Sequence, residues 1–101
     1  MQKENPSVTR LCRVMAKINT EEACRAFLED LCTVRELQDM AQRFDTAVLL
    51  DQGCSYLKIA EKVGISTATI SRVNRALVYG ADGYRLAIDC LKKTEESHDD
   101  P

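Results

Sequence analysis

Residues 55–78, Ser-Tyr-Leu-Lys-Ile-Ala-Glu-Lys-Val-Gly-Ile-Ser-Thr-Ala-Thr-Ile-Ser-Arg-Val-Asn-Arg-Ala-Leu-Val, constrain this chain more than any other stretch. They read as two short helices joined by a tight turn. The first runs from about Tyr56 to Lys62 and turns Ile59, Ala60 and Val63 inward at helical spacing. Gly64 stands where that helix must stop, because glycine takes a positive φ without steric cost. Ser66 can cap the second helix by accepting a hydrogen bond from a free backbone N–H. The second helix buries Ile70, Val73 and Leu77, which leaves Thr67, Ala68, Ser71, Arg72 and Arg75 on other faces. A small residue at 60 lets the helices approach, a glycine four residues later makes the bend, and Val63, Ile65, Ile70 and Val73 hold the crossing. This is the pattern of a DNA-binding helix-turn-helix. A plain helical hairpin in a bundle core is the simpler alternative, but six agreeing positions favour the DNA-binding motif.

The rest of the composition sets limits around that motif. The chain has 101 residues, enough for one small domain, with 45% hydrophobic and 30% charged residues, as in a soluble globular protein. Apolar residues recur at helical rather than alternating spacing, so an all-α fold is expected. A domain of this size buries only a modest core, a shortage that dimerisation relieves. Net charge is −2, which is no overall nucleic-acid signature. The local balance differs: residues 55–78 carry Lys58, Lys62, Arg72 and Arg75 against Glu61 alone. Five cysteines, an odd number without a Cys-x-x-Cys pair, read as reduced thiols serving as small hydrophobes in a cytoplasmic protein. The single histidine, His98, sits in an acidic tail, so no zinc site is expected. No signal-peptide pattern opens the chain, and no run approaches a membrane span.

Taken in order, residues 1–6 are polar and predict a disordered start. Val8, Leu11, Cys12, Met15 and Ile18 form one helical face. Thr20 begins a second helix, with Glu21 and Glu22 in the first turn, where the helix dipole favours anions. Its inward face is Ala23, Cys24, Phe27, Leu28 and Leu31. Thr33-Val-Arg-Glu36 has the form of a capping box and opens a third helix. The stripe of this helix, Val34, Leu37, Met40, Ala41, Phe44, Ala47, Val48 and Leu50, is broad enough to bury against two surfaces, which points to a subunit interface beside an internal core. Gln52-Gly53 ends it. After the helix-turn-helix, Tyr79-Gly80 stops the second reading helix. Asp82 can cap a last helix from about Gly83 to Lys93 with Tyr84, Ala87, Ile88 and Leu91 inward. Residues 94–101 read as a disordered acidic tail, so the ordered domain is residues 7–93.

No catalytic constellation or nucleotide loop stands out, so an enzyme is not expected. Glu29, Asp30, Asp39 and Asp45 occupy positions of solvated helix faces. The chemistry lies in the second helix of the hairpin. Its N-terminal residues Ser66, Thr67, Ala68, Thr69 and Ser71 offer hydroxyls, a methyl group and backbone N–H groups to base edges and phosphates. Arg75 can anchor a phosphate or reach a guanine, and Lys58 and Lys62 stand ready for backbone phosphates.

Two segments carry a resemblance. Asp30-Leu-Cys-Thr-Val-Arg-Glu-Leu-Gln-Asp-Met-Ala-Gln-Arg-Phe44 and Ser66-Thr-Ala-Thr-Ile-Ser-Arg-Val-Asn-Arg-Ala-Leu77 resemble the Trp repressor superfamily, most closely its YerC/YecD branch. Tyr79-Gly-Ala-Asp-Gly-Tyr84 is similar to that branch as well, and Ala68-Thr-Ile-Ser-Arg72 is the run shared with the repressor proper. The resemblance covers about residues 7–92. It implies a six-helix, intertwined homodimer that reads a palindromic operator in double-stranded DNA. It also implies an effector pocket between the third helix of one subunit and the recognition helix of the other, with Thr33, Arg43 and Arg72 at the matching positions. Two departures speak against a tryptophan corepressor: Val73 stands where the repressor has glycine, and Ala76 where it has serine. No other cofactor is expected.

The combined expectation is a cytoplasmic bacterial transcriptional regulator, a repressor that binds DNA as a homodimer. The alternative is a helical protein-interaction module that does not read DNA.

Overall fold

The computed structural model describes residues 4–99, with side chains as far as Glu95. Six helices follow one another: α1 Pro6–Met15, α2 Glu21–Leu31, α3 Val34–Asp51, α4 Tyr56–Val63, α5 Thr67–Tyr79 and α6 Gly83–Asp99. No strand occurs among the described residues, as the spacing of apolar residues predicts. No helix is long and apolar enough to cross a membrane among those residues. The chain divides into two compact units, residues 1–37 and 38–101, with the boundary inside α3.

In the first unit every helix has a local start signal. Asn5 caps α1 by accepting from the N–H groups of Ser7 at 2.9 Å and Val8 at 3.3 Å. Pro6 takes the first helical position, where its missing N–H costs nothing. The helix thus begins one residue earlier than the apolar pattern indicates; residues 1–3 of the expected disordered start lie outside the described residues. Thr20 caps α2 through Ala23 N–H at 3.1 Å. Thr33 and Glu36 form the reciprocal capping box, at 3.0 and 2.9 Å. What this unit lacks is a core: neither α1 nor α2 buries a single residue. Val8 remains 54% exposed and Leu31 50%.

The second unit has a core. Within it α3 buries Thr46 and Ala47 completely. Ala47 joins Val73 and Leu77 of α5 and Ile88 of α6, with Phe44, Val48, Leu50 and Tyr84 packed around them. Ile59 of α4 and Ile70 of α5 are also wholly buried. Within this unit α4 packs against α5, and α5 against α6.

Backbone geometry explains where these helices stop. Behind α3, Gly53 adopts φ 86°, the Cys54 N–H reaches the Leu49 carbonyl and the Gly53 N–H reaches the Leu50 carbonyl, each at 3.0 Å. This is a Schellman ending, which satisfies carbonyls a helix otherwise leaves bare. Behind α5, the Gly80 N–H bonds to the Ala76 carbonyl at 2.9 Å. A Cβ at Gly80 would run into that same carbonyl oxygen. Asp82 opens α6 through its backbone carbonyl, which accepts from Leu86 at 3.1 Å, and it does so at φ 67°. Aspartate tolerates this region better than most residues. α6 continues to Asp99, six residues past the expected end at Lys93. Thr94 turns its hydroxyl back to the Cys90 carbonyl at 2.9 Å, and the residues that follow include two glutamates, good helix formers. Asp100 and Pro101 of the expected tail lie outside the described residues. None of the five cysteines forms a disulfide, but they are less buried than expected of small hydrophobes: Cys12 and Cys90 are exposed, and Cys24, Cys32 and Cys54 are half-buried.

One ionic contact ties the two long helices of this unit. Asp51, the last residue of α3, accepts from Arg85 at 2.6 Å and pairs with Lys92 at 3.2 Å, both on α6. A carboxylate at a helix C-terminus faces the negative end of the dipole, so the two cations offset an intrinsic cost. The hydrogen bond from Arg85, followed by that from Lys92, holds the Asp51 carboxyl below its ordinary range, while burial acts in the opposite direction.

Two outcomes follow for stability. The depressed pKa means that ionised Asp51 favours the folded state above its unfolded value of 3.8, and that the advantage fades as pH falls through the folded value. Asp51→Asn therefore lowers the melting temperature at pH 7 by about 2–4 °C, and in calorimetry at fixed protein concentration the gap from the parent closes only as pH falls below 3.8. Gly80→Ala loses about 1–3 kcal/mol in urea unfolding from the forced clash. Gly83→Ala, where nothing lies near the added Cβ, is neutral or stabilising by up to about 1 kcal/mol.

Candidate nucleic-acid interface

The turn between α4 and α5 is built by the residues that announce it. Gly64 takes φ 79° and its N–H closes on the Ala60 carbonyl at 2.9 Å. Ser66 then caps α5, its hydroxyl accepting from the Thr69 N–H at 3.2 Å and sharing a hydrogen with the Thr69 hydroxyl at 3.0 Å. The first intrahelical bond of α5 runs from Ile70 N–H to the Ser66 carbonyl at 3.1 Å. The N–H groups of Thr67 and Ala68 precede it, at the positive end of the helix dipole, where an anion is favoured.

Burial divides α5 sharply. Ile70, Val73 and Leu77 are buried. Thr67, Ala68, Ser71, Arg72 and Arg75 are exposed, as is the cap residue Ser66. Thr69 is half-buried, with its hydroxyl engaged by Ser66, so it has less to offer a partner than its neighbours. On α4, Lys58 and Lys62 are exposed. Ile59, between them, is wholly buried, so it anchors the helix that carries both cations. Ser55 caps that helix through the Lys58 N–H at 3.2 Å. The exposed residues of the two-helix unit thus include four cations and several small hydroxylated side chains, with Glu61 the one acid of residues 55–78.

A cavity of about 450 Å³ lies beside this unit, lined by Asp39, Gln42 and Arg43 of α3, Ile65 of the turn, Thr69, Arg72, Val73 and Ala76 of α5, and Tyr84 of α6. Arg43 and Arg72 therefore meet at one cavity within a single chain. Thr33 belongs to the first unit, where its hydroxyl is engaged in the capping box. Val73 and Ala76, the two departures from the repressor pattern, both line the cavity, and Val73 is only 3% exposed. Among the described residues no group of His, Cys, Asp or Glu side chains is arranged to hold a metal ion.

Asp39, Gln42, Ile65 and Tyr84 line the cavity without being expected there: in sequence Asp39 reads as a solvated acid, and Ile65 and Tyr84 read as inward residues. Asp39 stands four residues before Arg43, so helical spacing alone puts both on one face. Tyr84 had no such signal, since it arrives from another helix.

Comparison with known proteins adds relatives to this geometry. The model of the Trp repressor protein family matches residues 6–92. The uncharacterized protein YerC of Bacillus subtilis (strain 168) is 51% identical over 74 residues, which are 73% of this chain and 71% of that protein. A crystal structure of a TrpR-like protein from Eubacterium eligens superposes with a TM-score of 0.82 at 42% identity, covering 88% of this chain and 92% of the other. A proposed Trp repressor from Staphylococcus aureus, also solved by crystallography, gives 0.82 at 37% identity, covering 88% and 89%.

The cap makes the local prediction. Ser66→Ala removes the acceptor of the Thr69 N–H and costs about 0.5–2 kcal/mol in urea unfolding. Thr67→Ala, at an exposed position one residue on, stays within about 0.5 kcal/mol of the parent.

Proposed function

The chain belongs to the Trp repressor family of DNA-binding regulators and has the all-α fold of TrpR-like proteins, and from that premise we propose that it is a sequence-specific transcriptional repressor. It binds a palindromic operator as a homodimer in the bacterial cytoplasm. The observation that carries this reading is the division of α5: its apolar residues are spent on the core, while Thr67, Ala68, Ser71 and Arg75 remain exposed behind a capped N-terminus. These residues meet base edges and nearby phosphates, Ser66 and Thr69 order the first turn, and Lys58 and Lys62 hold the backbone. A second copy supplies what the first unit lacks. Helices with an apolar face and no buried residue need a partner surface, and the N-terminal half of α3, where Val34 is 81% exposed, extends that need. Two heads in such a dimer address half-sites centred about 34–36 Å apart.

Effector control is a separate matter. Arg43 and Arg72, with Thr33, are the residues an amino-acid effector would use. The branched side chain of Val73 occupies space beside Arg43 and Arg72, and Ala76 offers no polar partner. The regulator therefore reads DNA without tryptophan.

Selection of bound duplexes from a random-sequence pool, with and without tryptophan, tests this reading. The expected result is one enriched palindrome, the same in both arms. The double variant Lys58→Glu and Arg75→Glu binds that palindrome at least about tenfold more weakly at fixed salt, because each reversal turns an attraction to phosphate into a repulsion. Unchanged affinity in the double variant overturns direct reading by these residues. Enrichment of nothing favours a helical module that docks to protein, and enrichment only with tryptophan overturns the reading of Val73.

A further inference from the structure

Ala47 of α3 shares a buried cluster with Val73 and Leu77, Phe44 and Val48 pack against that cluster, and these apolar contacts hold α3 against the reading unit. Such contacts resist separation, but they are non-directional and fix an angle poorly. A directional contact stands nearby. The Gln42 side-chain amide donates to the Val63 carbonyl at 3.4 Å, across 21 residues of sequence and in a half-shielded position. Val63 is the last residue of α4, immediately before the turn glycine. Its carbonyl is one of the terminal acceptors that a helix cannot satisfy internally, and the turn N–H of Gly64 is already committed to Ala60. The donor is equally well placed. The backbone carbonyl of Gln42 accepts the hydroxyl of Thr46 at 2.8 Å, and Thr46 is wholly buried. The base of the side chain is therefore anchored on the packed part of α3, and its tip is fastened to the bend between α4 and α5.

We propose that Gln42 is a positioning residue for DNA reading, setting the angle at which the α4–α5 unit stands against α3. The inference rests on the DNA-binding function proposed above. Its consequence is selective. Contacts to base edges need donors and acceptors in register, whereas phosphate contacts by long cationic side chains tolerate small displacements. Loosening the strap therefore weakens specific binding and leaves non-specific binding alone. Gln42 also lines the cavity together with Thr69 and Arg72, so the strap and the first turns of α5 face a common space.

Gln42→Met tests this, because methionine has about the same length and no donor. Affinity is measured at one salt concentration for the palindrome that the wild-type protein enriches and for a scrambled duplex. Amide hydrogen exchange is followed at Gly64 and Ile65. Asp51→Asn serves as a variant destabilised elsewhere in the same unit. The expected result is a three- to tenfold loss on the palindrome, about the worth of one neutral hydrogen bond, with no change on the scrambled duplex and faster exchange at Gly64 and Ile65. Asp51→Asn keeps the wild-type ratio of the two affinities. An unchanged ratio in Gln42→Met overturns the proposal, as does an equal shift in both variants, which would mark a loss of stability rather than of positioning. Failure of the underlying function shows differently: the wild-type protein itself then enriches no sequence, and both readings fall together.

Discussion

The reading unit depends on one contact, the seating of α5 on Ala47. Ala47 is fully buried and carries only a methyl group, and Val73 and Leu77 close over it with Ile88 of α6 behind them. A larger residue at 47 would lift α5 away from α3, and interiors pack too densely to absorb the change without strain. The consequences spread outward. With Val73 and Leu77 directed inward, Arg72, Arg75 and Ser71 are directed out by helical geometry alone. Ile70, buried one turn earlier, brings the N-terminus of α5 against α4, whose own inward residue Ile59 leaves Lys58 and Lys62 outside. The polar face is thus a by-product of the apolar one.

The first unit follows the opposite logic. Asn5, Thr20 and the Thr33–Glu36 pair specify where its helices begin, so local structure is well determined. Burial is not: α1 and α2 contain no buried residue. Capping contributes about 1 kcal/mol per helix, and helices of 10 or 11 residues are marginal alone in water. Their stability must come from packing of the apolar face. This is why the proposed second copy is more than a device for reading two half-sites. In that proposal it also completes the packing of residues 1–37 of each chain.

Much of the reading unit was legible because its signals are local. Gly64 and Ser66 mark the turn within three residues, and Ile59, Ile70, Val73 and Leu77 recur at helical spacing, so boundaries and inward faces both follow from sequence. Gly53 and Gly80 marked the ends of α3 and α5 for the same reason. What stayed hidden is what depends on partners far away in the chain. Asp51 meets Arg85 across 34 residues and Gln42 meets Val63 across 21. Nothing in the spacing of either pair announces it. Asp39 is exposed, as a solvated acid should be, and its place beside the cavity was hidden because only the fold brings α5 and Tyr84 opposite it. The extent of α6 was missed for a different reason. A run of charged residues reads as a tail, yet glutamate and lysine also favour helix, and polarity alone does not separate the two. The low burial of the cysteines reflects the missing core of the first unit for Cys12 and Cys24, and the outward face of α6 for Cys90.

Val73 links the two halves of the functional question. It belongs to the core cluster through Leu77 and Ala47, and it lines the cavity beside Arg43 and Arg72. One side chain cannot be withdrawn from the core to admit a ligand without loosening the seat of α5. A glycine at that position would leave space for an effector and make the orientation of α5 depend on it, since glycine adds no packing and raises backbone freedom. Valine does the reverse. Its branched, conformationally stiff side chain supplies contact permanently and reduces the freedom of the helix it sits on. The physical effect on the reading helix resembles that of a bound effector, with the ordering built into the chain instead of supplied from solution. On the proposed function, a reading unit preset in this way binds an operator without tryptophan, and operator occupancy follows protein concentration through dimer assembly rather than amino-acid supply.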